Sequence, residues 1–263
     1  MVAPILETRN VSKAYPGVLA LNDVSVAVDK GEVVALIGPN GAGKSTLFSV
    51  VCGDPPADKG QVLLRGHDIT RVAPWKLTQM GVARAFQVAR VFPRMTVSEN
   101  LVTAIRTRER WAKEAALWQG FLRPRPCSRA ELNHVLNEVG LSGSRDALSS
   151  TLAHGDKKRL EIGMALCLNP ELLLLDEPTS GMSPSEAVET IHLIRKVFEE
   201  RGITVFLTEH RMEVVYALAK RVVVLNQGSV IACGTPDEIR SDPRVREVYL
   251  GEEETSVAQN REP

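Results

Sequence analysis

The residues with the sharpest chemical spacing are Gly38-Pro39-Asn40-Gly41-Ala42-Gly43-Lys44-Ser45, which fit G-x-x-x-x-G-K-[ST] at every fixed position. That spacing makes a phosphate cradle. The glycines let the backbone bend tightly and turn its N–H groups inward, and the start of the helix that follows adds its positive dipole end. Lys44 would reach the β- and γ-phosphates, and Ser45 would place a hydroxyl on Mg²⁺. Asp176-Glu177 follows the apolar run Leu172 to Leu175. Asp176 would hold Mg²⁺ through water, and Glu177 would polarise the attacking water as general base. His210 follows a later apolar run in the same manner; it reads either as a γ-phosphate contact that positions the water or as a capping or core histidine. Gln87, in Ala-Arg-Ala-Phe-Gln, carries an amide able to contact Mg²⁺ or that water. Tyr15 offers an aromatic face that could stack on adenine or pack at the surface.

These groups need elements to aim them. Val33 to Ile37 reads as a buried strand ending in the glycine loop, with helix formers following from Thr46. A carboxylate at the C-terminal end of a parallel strand points into the crevice where ligands bind, which suits Asp176. Strands are expected at 5–15 and 23–29, where Val24, Val26 and Val28 alternate with Ser25, Ala27 and Asp29, and again at Gln61 to Leu64. Strand patterns vanish over 95–165 and helices are expected at 97–119, 129–139 and 156–168. From Glu171 apolar strands return (172–175, 203–208, 222–225), separated by helices near 184–200 and 211–219. Such alternation implies α/β architecture: a parallel sheet covered on both faces, with an antiparallel β layer from the first third and an inserted helical lobe. Within that lobe Arg106, Arg108, Arg110, Lys113, Arg123, Arg125 and Arg129 interleave with Trp111, Trp118 and Phe121, either a solvated face or a surface for lipid headgroups or a membrane partner.

The 263 residues, 44% of them hydrophobic, suffice for one large domain or a core with a smaller lobe, without metal or disulfide staples. Lys+Arg and Asp+Glu are equal at 32 each, so charge gives no nucleic-acid footprint. Cys52, Cys127, Cys167 and Cys233 are widely separated and fit a reducing compartment. The first ten residues lack a signal-peptide pattern, and no apolar run approaches the ~18–20 residues that span a bilayer.

In order and spacing, these segments resemble the nucleotide-binding subunit of an ATP-binding cassette (ABC) transporter, over roughly residues 5–250. Tyr15 matches the adenine-stacking aromatic, Gly38 to Thr46 the Walker A loop, and Gln87 the Q-loop. Leu172 to Glu177 matches Walker B with its catalytic glutamate, Ser180 to Ser183 the D-loop, and His210 the switch histidine. The signature segment falls at Leu152-Ala153-His154-Gly155-Asp156, where Ala153, His154 and Asp156 depart from the usual Ser, Gly and Gln; Ser183 departs from the usual Asp or Asn. The resemblance implies a P-loop NTPase core (5–94 and 166–250), a helical signature subdomain (95–165) and a polar tail (251–263).

It also implies ATP and Mg²⁺ as cofactors and a head-to-tail pair of ATPase chains, identical or different. The nucleotide would meet Tyr15, Gly38, Pro39, Asn40, Gly41, Ala42, Gly43, Lys44, Ser45 and Thr46 of one chain and Gly155 of the other. Ser45, Gln87 and Asp176 would bind the metal, and Glu177, His210, Lys44 and Gln87 would serve hydrolysis. The signature segment, DEPTSGMSPSE, ARAFQVARVFPRMTVSENL and Tyr249-Leu250-Gly251 resemble branched-chain amino acid importers; ATPases for urea and short-chain amides are similar. The implied partners are integral-membrane permeases and, indirectly, a solute-binding protein, with the chain peripheral at the cytoplasmic face of the inner membrane. Two rival readings are a soluble ABC ATPase that moves nothing and a binding module with dead chemistry. One cassette without sustained heptads argues against the first, and intact Lys44, Asp176, Glu177 and His210 against the second.

Overall fold

The computed structural model describes residues 3–119 and 129–248, with the backbone alone for 113–119. Phe121, Arg123, Arg125, Cys127, Tyr249-Leu250-Gly251 and the tail 251–263 lie outside the described residues, as do the side chains of Lys113 and Trp118. Two compact units are present: residues up to Pro74 together with those from Thr204 on, and Trp75–Ile203.

In the first unit β1 (Leu6–Tyr15) and β2 (Val18–Val28) make an antiparallel hairpin. The strand expected at 23–29 starts at Val18 instead, because Gly17 (φ 79°) turns the chain tightly enough for Tyr15 to pair with Val18. Val24, Val26 and Val28 are buried, as their alternation requires. Next come β3 (Val33–Ile37), buried throughout, and α1 (Lys44–Val51), which packs Leu47 and Phe48 inward. The strands β4 (Lys59–Leu64) and β5 (His67–Asp68) complete a sheet of order β2-β1-β4-β5.

After α2 (Pro74–Gln79), the second unit carries β6 (Val82–Ala85), which pairs in parallel with β7 (Leu172–Asp176), reached after three helices. These are α3 (Val97–Gln119), α4 (Arg129–Glu138) and α5 (His154–Cys167). The first two match the expected spans; α5 begins two residues before Asp156 because Ala153 is the extended N-cap (φ −60°, ψ 163°). Gly163 lets α5 approach closely, since a Cβ there would lie 3.1 Å from both Leu101 and Val139 side-chain carbons. Then α6 (Pro184–Arg201) starts with a capping box, Ser183 with Glu186, and Pro184 in its first turn.

The chain returns to the first unit with β8 (Thr204–Thr208), α7 (Met212–Leu218), β9 (Arg221–Asn226), β10 (Ser229–Gly234) and α8 (Pro236–Ser241). Here β3 lies parallel to both β8 and β9, and β10 runs antiparallel to β9. The short elements α2, β5, β6, β10 and α8 have no clear pattern in the sequence; β6 and β10 exist because an apolar, buried neighbour, β7 or β9, templates their hydrogen bonds.

Candidate functional site

In the first unit the glycine loop links β3 to α1. Gly38 (φ 150°) has no room for a side chain, since a Cβ would sit 2.0 Å from the Leu225 carbonyl oxygen. Gly43 (φ 104°) caps α1, and its Cβ would lie 2.5 Å from the Ala20 carbonyl oxygen. The loop closes on itself by Ala42 N–H donating to Pro39 O (3.2 Å), and the β9–β10 turn pins it by Gly228 N–H donating to Ala42 O (3.0 Å). Lys44 is buried and donates Nζ–H to Gly38 O (2.6 Å) and Pro39 O (2.9 Å), so its charge lies within the cradle. Asn40, Gly41 and Ser45 are exposed, and Thr46 half-buried. No acidic residue lies in the first turn of α1, which leaves its positive end for an anion. Tyr15, at the end of β1, is exposed, with Lys13 Nζ 5.8 Å from its ring centre. His210 is exposed two residues beyond β8, after the buried Glu209.

The second unit brings the other sequence-singled residues together. Asp176 ends β7 and is buried; Arg84 of β6 bonds it at 2.9 Å. Glu177 has φ 45°, an uncommon backbone for a residue with a long side chain, shared here with Arg65 (φ 50°) and Gln227 (φ 45°). Gln87 donates its amide N–H to Glu177 Oε2 at 2.7 Å. Gly155 lies in the first turn of α5, and its amide donates to Glu186 Oε1 at 3.2 Å. Glu186 fills the space beside it, since a Cβ on Gly155 would be 2.9 Å from that oxygen. Bonds from the Ser183 side chain, the Ser183 amide and the Gly155 amide hold the Glu186 carboxyl below the usual range. Of the departures in the signature segment, His154 has a contact: its Nε2 is 3.2 Å from Ser180 O. Asp156 pairs with Arg159, and Ser183 serves as the cap of α6.

The expected metal donors are oxygen groups: the first unit carries the Ser45 hydroxyl, and the second carries the Asp176 carboxylate and the Gln87 amide oxygen. Oxygen groups of this kind suit a hard cation. Among the described residues no group of three His, Cys, Asp or Glu could hold a metal ion. Sequence reasoning missed Arg84, Lys158, Glu161 and Glu186. Lys158 and Glu161 are spaced i, i+3 on a helix with an otherwise apolar buried face, a pattern that marks a buried pair only after its burial is known.

Residues 21–180 match the ABC transporter family model, and residues 229–255 match a model described as branched-chain amino acid ATP-binding cassette transporter. The chain is 37% identical over 258 residues to the high-affinity branched-chain amino acid transport ATP-binding protein LivG of Salmonella typhimurium, covering 96% of this chain and 100% of that one. It is 38% identical to the corresponding protein BraF of Pseudomonas aeruginosa, with coverage of 96% and 100%. It is also 34% identical to the lipopolysaccharide export system ATP-binding protein LptB of Escherichia coli, covering 94% and 98%. The crystal structure of MJ1267, an ATP-binding cassette of an ABC transporter in its ADP conformation, matches with a TM-score of 0.79 at 33% identity, over 94% of this chain and 99% of that one. The fold is therefore the α/β fold of P-loop ATPases.

Proposed function

The chain belongs to the ABC transporter family of ATP-binding subunits, and from that premise we propose that it powers an importer of branched-chain amino acids such as leucine, isoleucine and valine. The observation that carries the solute class is the match of residues 229–255 to the branched-chain model, beyond the cassette match that any transporter ATPase would give. It favours leucine-type solutes over the lipopolysaccharide exported by the LptB system.

In this reading Tyr15 stacks on adenine, and the loop Gly38, Pro39, Asn40, Gly41, Ala42, Gly43 with Lys44, Ser45 and Thr46 wraps the phosphates. Lys44 leaves the Gly38 and Pro39 carbonyls for the β- and γ-phosphates, and His210 contacts the γ-phosphate; together they offset the charge of the transferring group. Glu177 takes a proton from the attacking water, and the Gln87 amide holds its carboxylate in place. Ser45, Gln87 and Asp176 are the residues that would hold Mg²⁺, which would supply neutralisation of charge on the phosphates. Gly155 serves the nucleotide held by a second ATPase chain, its amide exchanging Glu186 for γ-phosphate.

The chain acts with integral-membrane permeases and, through them, a solute-binding protein, as a peripheral subunit at the cytoplasmic face of the inner membrane. In the second unit Val88, Phe92, Met95 and Leu148 remain exposed, and Leu148 pairs with Thr96 next to Met95; this is the apolar surface a permease would cover. Cells carrying Glu177→Gln test the reading through uptake of labelled leucine, with labelled urea in parallel. Leucine uptake is expected to fail with urea uptake unchanged, and purified Glu177→Gln to bind ATP but hydrolyse it at least ~100-fold more slowly. Loss of urea uptake alone overturns the solute class, and near-normal turnover overturns the role of Glu177.

A further inference from the structure

We propose that Lys158 and Glu161 are positioning residues for hydrolysis: a buried pair on α5 that grips the loop on both sides of Gln87 and so holds its amide against Glu177. The inference rests on the roles assigned above to Gln87 and Glu177.

Lys158 and Glu161 sit one turn apart on α5, 1% and 5% exposed, with Nζ 3.4 Å from Oε2. A buried ion pair adds little stability by itself, because desolvation offsets attraction unless further hydrogen bonds satisfy both groups. Here the Gln87 loop supplies them to Lys158 and to Glu161 Oε1, while Glu161 Oε2 has only the ion pair with Lys158. Lys158 donates to the carbonyls of Phe86 and Gln87. Glu161 Oε1 accepts from the amides of Phe86 (3.2 Å) and Arg90 (3.0 Å). The loop follows β6 and precedes α3, so these polar groups fall outside its neighbouring strand and helix and find partners in a helix some 70 residues away in sequence. Arg84 and Arg90 add order by placing their guanidiniums 4.7 and 3.7 Å from the Phe86 ring centre. Gln87 itself is exposed, yet its backbone is tied on either side and its side chain is 2.7 Å from Glu177. Burial pushes the Glu161 carboxyl above its usual range, and Lys158 with the two loop amides only partly opposes this. The pair is thus poorly suited to stability alone and well suited to fixing a loop. The same helix begins with the Gly155 segment, so the tie joins the glutamine loop to the element that carries Gly155.

The test uses the full purified chain and reads kcat, KM for ATP and melting temperature. In the double variant Lys158→Met, Glu161→Leu the ion pair is replaced by apolar groups, so no buried charge is left unpaired while the loop loses its ties. Its KM is expected to stay within roughly twofold, and its kcat to fall about 10- to 100-fold, the scale of a small misplacement at the chemistry. In a Gln87→Ala background the same pair of changes should cost less than about twofold more, since both act through one group. Wild-type kcat in the double variant, or full multiplication of its loss with that of Gln87→Ala, overturns the proposal. Should the double variant not fold, Glu161→Gln and Glu161→Leu decide. The amide oxygen of Gln can still accept from Phe86 and Arg90, so Glu161→Gln should keep most of kcat and Glu161→Leu should not; equal behaviour overturns the proposal. Unchanged kcat in Gln87→Ala alone overturns the role of Gln87, and the proposal with it.

Discussion

The glycine loop of the first unit and the glutamine loop of the second solve one problem in opposite ways. The glycine loop is shaped by backbone. Positive-φ glycines at 38, 41 and 43 fold it, and neighbouring carbonyls leave no space for a Cβ at Gly38 or Gly43. The glutamine loop has no glycine between Phe86 and Arg90, and side chains hold it: Lys158 and Glu161 on its backbone, two arginines on the Phe86 ring. The ion pairs differ too. Burial would raise the Glu32 carboxyl near β3, but the bonds from Arg221 and the Asp29 amide, with the charges of Arg221 and Lys220, bring it below its usual range. Glu161 goes the other way, because burial wins there. The first pair acts as a brace for the sheet under the cradle; the second trades stability for position.

The contrast breaks most readily at Gly43. Gly43→Ala is expected to cost about 3 kcal/mol, the upper end for a side chain forced into such a backbone region, and to abolish measurable ATP binding. Denaturant unfolding with nucleotide titration checks this, and wild-type affinity would show that the cradle is not backbone-limited. Arg84→Met probes the side-chain region. It should lower stability by on the order of 2 kcal/mol, less than the ~3–5 of a fully buried broken pair because Arg84 keeps some solvent access. Its ATP binding without Mg²⁺ should stay near wild type; equal losses in binding and stability would make Arg84 part of the cradle instead.

The smallest expected effect sharpens the electrostatic half of the comparison. Glu32 is bonded twice by Arg221, at 2.8 and 2.6 Å, and its folded-state pKa lies below the ordinary 4.5. Its contribution is therefore fully present above pH 4.5 and lost as pH falls through the lower folded value. Wild type should exceed Glu32→Gln by about 1 kcal/mol or less at neutral pH, given partial exposure, and the gap should close in acid. A gap that widened on acidification would reverse the sign assigned to this pair.

The chemistry-bearing residues were legible because each follows a strong local pattern. Apolar runs mark β3, β7 and β8, and Lys44, Asp176-Glu177 and His210 come at or just beyond their ends. The long helices α3 and α4 were equally plain from composition. Short elements were not: β6 takes its shape from pairing with β7, and β10 from pairing with β9.

The sequence alone determined the phosphate loop, the order of the longer strands and helices around it and the identity of the acid–base candidates, because glycine requirements and apolar periodicity act over a few neighbouring residues. Only the tertiary structure decided that Glu186 occupies the Gly155 amide, that Arg84 bonds Asp176 and that Lys158 and Glu161 clamp the loop of Gln87. Those contacts join residues about 30 to 90 positions apart, and the polar groups that meet there do so because buried backbone and charge must find partners, a condition no local pattern records.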